Sequence, residues 1–176
     1  MKRFRTSLFL CFAAFLTFFA FPGLAAAQAA GSDSVLTAQA AGKLLPDAVF
    51  YAGKSANTQL RNATGIHFGD GAYTLAVLVD TSGYSTAVQE KYQGYLLTET
   101  TLQFGGHSLP AGAYGFGFVK GQFLVMDIGN HDIFQAGTTH DANLHLPRPL
   151  QVLSGSSGGE YRLCSGRDCV TFTRAH

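Results

Sequence analysis

The chain has 176 residues, of which 47% are hydrophobic and 13% are charged, and its formal net charge is +1 at pH 7. A nucleic-acid partner is excluded, because binding phosphates requires a concentrated positive surface that this balance does not supply. The length suits one domain able to bury a core.

The N-terminus has the pattern of a secretory signal peptide. Basic residues precede an apolar run from residue 8 to 21, and alanines follow around Ala27. The run is shorter than the roughly twenty residues that a membrane-spanning helix needs. We predict that residues 1–27 are a signal peptide, with cleavage after Ala27 or Ala29, and that the mature chain is periplasmic or secreted without a transmembrane span. The alternative is an uncleaved N-terminal anchor.

Removal of residues 1–27 leaves nine basic and eleven acidic residues, a net charge of −2. Residues 28–45 are rich in alanine and lack aromatic side chains, which indicates a tether with one or two weak helical turns after Ser34. The composition changes at Pro46. We predict a single β domain over residues 46–176.

From residue 46 onward, short runs of β-branched and aromatic residues alternate with glycine-containing turns. This pattern is typical of an all-β fold, either an antiparallel β-sandwich or a partly closed barrel. One short helix is expected in "STAVQEKYQ", where Thr86 and Gln89 are placed to form a capping box. The predicted strands cover residues 48–53, 57–63, 65–69, 72–80, 95–104, 113–119, 122–128, 150–153, 160–164 and 169–174.

The run "AYGFGFV" alternates aromatic residues with glycine. Side chains alternate between the two faces of a strand, so Tyr114, Phe116 and Phe118 share one face and Gly115 and Gly117 share the other. We predict a core strand whose glycine face admits a close neighbour. The alternative is an aromatic platform for a ligand.

The segment "GGHSLPAGAYGFGFVKGQFLVMD" resembles a recurrent segment of uncharacterised secreted bacterial β-sandwich proteins. A Leu-Pro-Ala-Gly-x-Tyr turn, here Leu109 to Tyr114, leads into an aromatic strand and its hairpin partner. The resemblance covers about twenty residues of the mature chain. It implies a β-sandwich in the bacterial envelope, and it assigns neither an activity nor site residues.

The tetrapeptide Gly129-Asn130-His131-Asp132 matches a metal-binding motif of dimetal phosphoesterases. Such enzymes also resemble one another in an Asp-x-His, a later His-x-His and alternating strands and helices, none of which this sequence offers. We therefore predict a hairpin corner at Gly129 and Asn130, two residues that adopt positive φ at low cost.

A looser metal site is the alternative, with Asp127, His131, Asp132 and His140 as candidate ligands. A two-residue turn at Gly129 and Asn130 makes Asp127 and Asp132 cross-strand neighbours, and the two carboxylates repel unless a cation lies between them. The other interpretation is that these are solvated loop residues. The spacing from His140 to His145 matches no strong zinc signature.

Two further patterns have a chemical and a structural interpretation. "GSSGG", residues 155–159, fits Gly-x-Ser-x-Gly with Ser157 as nucleophile, but a nucleophile elbow needs a following helix and a later histidine, and His176 is the only one. A hairpin loop is expected instead. In "HLPRPL", Pro147 and Pro149 hold Arg148 in an extended segment, which either presents its guanidinium to an anion or only directs the chain into the next strand.

A disulfide is predicted between Cys164 and Cys169, the two cysteines that remain after signal removal. With Gly166-Arg167 as a two-residue turn, Ser165 opposes Asp168 and the cysteines form the next, non-hydrogen-bonded pair, whose close approach suits a disulfide. The bond then holds the register of the last hairpin.

These patterns favour a non-catalytic exported protein that binds an unknown small molecule or envelope protein, or that has a structural role in the envelope. No cofactor is expected. The alternative is a metal-dependent hydrolase with a site between Asp127 and His145.

Overall fold

The computed structural model describes residues 31–175, so the predicted signal peptide and its cleavage points lie outside the described residues. The fold is all-β, as predicted, with 53% strand and 6% helix in two antiparallel sheets. The two helices are α1 (Ala38–Gly42) and α2 (Thr86–Gln89). The strands are β1 (Ser34–Leu36), β2 (Ala48–Tyr51), β3 (Lys54–His67), β4 (Tyr73–Val79), β5 (Gly94–Thr98), β6 (Leu102–Phe104), β7 (His107–Leu109), β8 (Gly112–Val119), β9 (Gln122–Met126), β10 (Asp132–Gly137), β11 (Thr139–His140), β12 (Gln151–Ser154), β13 (Glu160–Ser165) and β14 (Asp168–Arg174).

The larger sheet has the strand order β1-β3-β4-β5-β8-β9-β10, with β2 paired to the first part of β3. The smaller sheet has the order β12-β13-β14-β6-β7, with β11 paired to β14. The run predicted as one strand over 95–104 is divided into β5 and β6, which belong to different sheets. The break lies where the Thr98 hydroxyl bonds to the backbone of Thr100, which turns the chain from one sheet to the other.

The main core fills the space between the two sheets. Aromatic side chains from both sheets stack there, and Phe104 of β6 lies 5.3 Å from Phe123 of β9 and 5.1 Å from Phe172 of β14 between ring centroids. Burial of such large apolar side chains is the dominant stabilising contribution to a sandwich of this kind. Side chains of both sheets therefore fill the space between them.

Strand β8 follows the prediction made from its alternating pattern. Phe116 is fully buried, and Tyr114 and Phe118 pack against the same core, so these aromatic residues belong to the core and do not form a ligand platform. On the opposite face, a Cβ atom added at Gly115 would lie 2.3 Å from the Tyr51 ring. Only glycine permits this approach, which lets β2 cover the outer face of the larger sheet.

Residues 34–42, placed in the tether by their composition, pack onto the larger sheet. β1 pairs with the end of β3, from Ser34 opposite His67 to Leu36 opposite Gly65. Thr37 is the N-cap of α1, and its hydroxyl accepts a hydrogen bond from the Ala40 amide. The helix buries Ala41 against β3 and β4. Small alanine side chains allow this close packing, which composition alone did not reveal.

The predicted capping box does not form, although the helix does. The N-cap of α2 is Ser85 and not Thr86, and the Ser85 side chain makes no capping hydrogen bond. Gln89 instead donates to the Tyr84 carbonyl at 2.8 Å. Neither helix in the described part of the chain is long and apolar enough to cross a membrane.

Candidate functional site

The motif of residues 129–132 forms the corner of the β9–β10 hairpin. The Asn130 amide donates to the Asp127 carbonyl at 3.0 Å, and the Asp127 amide donates to the His131 carbonyl at 2.9 Å. The corner therefore has three central residues, with Asn130 at φ 71°, instead of the predicted two. As a consequence Asp132 opposes Met126, so Asp127 and Asp132 are not the cross-strand pair that a two-residue turn implied.

The Asp127 carboxylate is satisfied within this corner. It accepts hydrogen bonds from the amides of Gly129 and His131, at 2.8 and 2.9 Å, and lies 2.9 Å from the His131 ring nitrogen Nδ1. These contacts with His131 hold the pKa of Asp127 below its ordinary value of 3.8. The lowered pKa stabilises the folded state. This stabilisation is fully present at pH values above the ordinary pKa and is lost as the pH falls through the lowered pKa of the folded state.

The four predicted metal ligands are not brought together in one group, although Asp127 and His131 contact each other. Asp132 pairs with Lys91 at 2.8 Å, and His140 of β11 lies 2.7 Å from the Asp168 carboxylate of β14. Across residues 31–175, no group of three or more histidine, cysteine or acidic side chains is arranged to hold a metal ion. The reason is that these side chains are engaged separately, Asp132 with Lys91 of the loop after α2 and His140 with Asp168 of the neighbouring strand.

Ser157 lies in the hairpin loop between β12 and β13, as the flanking strands predicted. The Gly155 amide donates to the Glu160 carbonyl at 2.7 Å, and the Glu160 amide donates to the Ser157 carbonyl at 3.1 Å. A strand and not a helix follows the loop, so the backbone geometry of a nucleophile elbow does not form.

The predicted disulfide is confirmed. The sulfur atoms of Cys164 and Cys169 lie 2.07 Å apart, with 4.0 Å between the Cα atoms. The register is also as predicted, with Ser165 opposite Asp168 and the cysteines forming the next pair. Gly166 has φ 59°, as the first central residue of a type II′ turn requires.

A surface cleft of about 610 Å³ opens where the edges of the two sheets meet. One wall is built by β1, the start of α1 and residues 61–64 of β3, and the other by residues 144–150 and β12. The Val152 amide donates to the Thr64 hydroxyl at 2.9 Å and joins the two walls at the floor. Clefts of this volume commonly accommodate small molecules.

The lining of the cleft combines exposed apolar side chains with basic ones. Leu146, 73% exposed, and Val35, 38% exposed, lie on its rim together with Arg61, His145 and Arg148. No acidic side chain of the described residues lines it. An anionic group is therefore favoured on electrostatic grounds, next to surface that favours an apolar group.

The two cleft arginines differ from the other three that the structure describes. Arg162 pairs with Asp141, Arg174 pairs with Asp70, and the Arg167 guanidinium donates to two loop carbonyls. Arg61 and Arg148 are exposed, and neither forms a salt bridge within residues 31–175. Both free guanidinium groups thus lie in one cleft.

Arg148 is held in place by the disulfide hairpin. Its carbonyl accepts a hydrogen bond from the Gly166 amide at 2.9 Å, and prolines flank it on both sides. The loop before it is tied to the same hairpin, because Arg167 donates to the carbonyls of Asp141 and Ala142 at 3.2 and 2.6 Å. The sequence indicated an extended segment here, and the structure shows that this segment lines the cleft.

Sequence reasoning missed Arg61. The register of β3 against β4 shifts between Thr58 and Ala63, so residues 59–62 leave the regular ladder and expose the arginine. An Asn62-to-Gln59 hydrogen bond of 3.0 Å closes this irregular stretch. The run 57–63 carries no glycine or proline to signal the irregularity, and only its pairing partner reveals it.

The sequence matches no protein-family model, and comparisons with curated proteins and with solved structures gave no significant match.

Proposed function

We propose that this is an exported, non-catalytic binding protein of the bacterial envelope, and that it holds a small molecule in the cleft between β1, β3 and β12. The cleft carries the proposal, because its volume suits a small ligand and it exposes apolar side chains that the core does not cover. Its walls come from both sheets, so the whole sandwich serves to hold it.

Two observations support export. The N-terminal 27 residues have the pattern of a signal peptide. The Cys164–Cys169 disulfide is of a kind that persists in the periplasm or outside the cell.

A metal-dependent hydrolase is not proposed. Asp127 and His131 pair with each other at the β9–β10 corner, whereas Asp132 pairs with Lys91 and His140 of β11 pairs with Asp168. None of the contacts among the described residues favours that activity over binding.

The export part of the proposal is tested on protein purified from the envelope fraction of its native host. Mass measurement should find Gln28 or Ala30 at the N-terminus. An intact Met1 on envelope protein would show that the leader is not removed.

The binding part is tested by native mass spectrometry of the same material, looking for a co-purifying molecule. Val35→Trp narrows the cleft and should reduce the bound fraction. Ile133→Trp is the matched control, because Ile133 is similarly exposed on the edge strand β10 and lies outside the cleft. Equal binding by both variants, or protein that carries no ligand, would overturn the proposed function.

A further inference from the structure

The two free arginines allow the class of ligand to be named. We propose that the cleft recognises an amphipathic anion, a carboxylate or phosphate head group on an apolar chain, with Arg61 and Arg148 binding the head group. This inference rests on the proposed function, since it assigns the ligand class to the same cleft.

The head-group assignment follows from charge. Arg61 and Arg148 approach the cleft from opposite walls, on β3 and on the Pro147–Pro149 segment, and residues 31–175 place no acidic side chain in the lining. A guanidinium group presents several N–H donors in a plane that fits two oxygens of a carboxylate or phosphate. Two such groups that form no salt bridge with the described residues 31–175 are suited to an external anion.

The apolar part follows from the rim and the floor. Leu146 is the most exposed of the large hydrophobic side chains in the described region, and Val35 lies on the same cleft. Leu36, which is partly buried, adds apolar surface below them, and the buried side chains of Leu150 and Val152 form the floor. A chain laid along these residues removes apolar surface from water, which a purely ionic ligand such as acetate cannot do.

The anchoring of Arg148 favours binding of a defined head group over loose ionic attraction. Its backbone is fixed by the Gly166 amide, and neighbouring prolines restrict its conformations. A guanidinium held on a rigid backbone loses less freedom when an anion binds.

Titration calorimetry of the mature full chain tests the ligand class with four probes. Decanoate and decyl phosphate carry the two head groups, decyltrimethylammonium carries the same chain with the opposite charge, and acetate lacks the chain. Decanoate or decyl phosphate should bind at least about tenfold more tightly than decyltrimethylammonium and acetate, and the affinity should fall with added salt. The tighter of the two anions identifies the head group.

The variant Arg61→Gln/Arg148→Gln should bind the preferred anion at least about tenfold more weakly, because each arginine supplies a charged hydrogen bond. Lys120→Gln removes a charge from the exposed β8–β9 turn, outside the cleft, and should bind as the parent does. Leu146→Ser should weaken decanoate binding several-fold. All four positions are exposed, and an unchanged melting temperature verifies that each variant is folded.

The outcomes separate the two proposals. Equal affinity for decyltrimethylammonium, or unchanged anion affinity in the double variant, overturns the ligand class while cleft binding as such still stands. The loss of ligand from Val35→Trp relative to Ile133→Trp tests that binding separately. A neutral or cationic molecule found in the cleft of the native protein would likewise overturn the proposed ligand class.

Discussion

The β9–β10 corner and the cleft both combine charged side chains with glycine or proline turns, yet they differ in how these charges are satisfied. At the corner, Asp127 finds all of its partners within four residues along the chain. In the cleft, Arg61 and Arg148 come from distant parts of the chain and meet no acidic partner within residues 31–175. A charge that is satisfied locally serves the turn, whereas charges brought together without partners are available to a ligand.

The largest expected effect comes from removing the disulfide that supports one cleft wall. Cys164→Ser/Cys169→Ser should lower the free energy of unfolding by about 2 kcal/mol, because the bond restricts the unfolded chain and its replacement leaves two serine hydroxyls in a buried position. It should also weaken anion binding, since Gly166 of this hairpin holds the Arg148 carbonyl. Urea unfolding and titration calorimetry measure the two effects.

The corner provides the control for this variant. Amide chemical shifts of residues 127–131 should not change, because the corner belongs to the other sheet. Unchanged anion affinity in folded double-serine protein would contradict a role of the hairpin in positioning Arg148.

A second prediction concerns the bond that joins the cleft walls. Thr64→Val keeps the side-chain shape but removes the acceptor of the buried Val152 amide, which should cost about 1 to 2 kcal/mol of unfolding free energy. Thr171→Val on the exposed face of β14 is the matched control and should change this free energy by less than about 0.5 kcal/mol. Equal stability of the two variants would show that the hydrogen bond between Val152 and Thr64 contributes nothing to the free energy of unfolding.

A third prediction concerns the corner, where Asn130 adopts positive φ and its side chain accepts a hydrogen bond from the Tyr51 hydroxyl at 3.0 Å. Asn130→Ala and Asn130→Gly both lose that bond, but only alanine has a Cβ that disfavours this backbone conformation. The alanine variant should be less stable than the glycine variant by about 1 kcal/mol in urea unfolding. Equal stabilities would rule out the left-handed corner.

The smallest effect is expected at His131, which is 82% exposed. His131→Ala should change the unfolding free energy by less than about 0.5 kcal/mol, because the Asp127 carboxylate keeps its two backbone donors. The metal content of purified protein should also stay the same. Loss of a stoichiometric metal ion in this variant would revive the interpretation of the motif as a metal site.

Local patterns in the sequence were sufficient for the all-β class, the alternation in β8 and the Cys164–Cys169 bond. Each depends on residues close together in the chain, where strand periodicity and turn geometry decide which side chains face each other. The position of the hairpin corner at Gly129 and Asn130 could also be predicted. Its length was not, because a two-residue and a three-residue turn differ only in the register that the paired strands adopt.

Contacts between distant residues required the tertiary structure. The alanine-rich segment packs because β3 and β4 offer a surface for Ala41, and the run 95–104 divides because its two ends belong to different sheets. Arg61 lines the cleft because the register of β3 shifts at this point. Arg148 lines the same cleft because β12, which follows it in the chain, packs beside β3. Sequence alone established which residues carry charge, whereas sheet pairing determined which charges found internal partners, since ion pairing depends on distance in space and not along the chain.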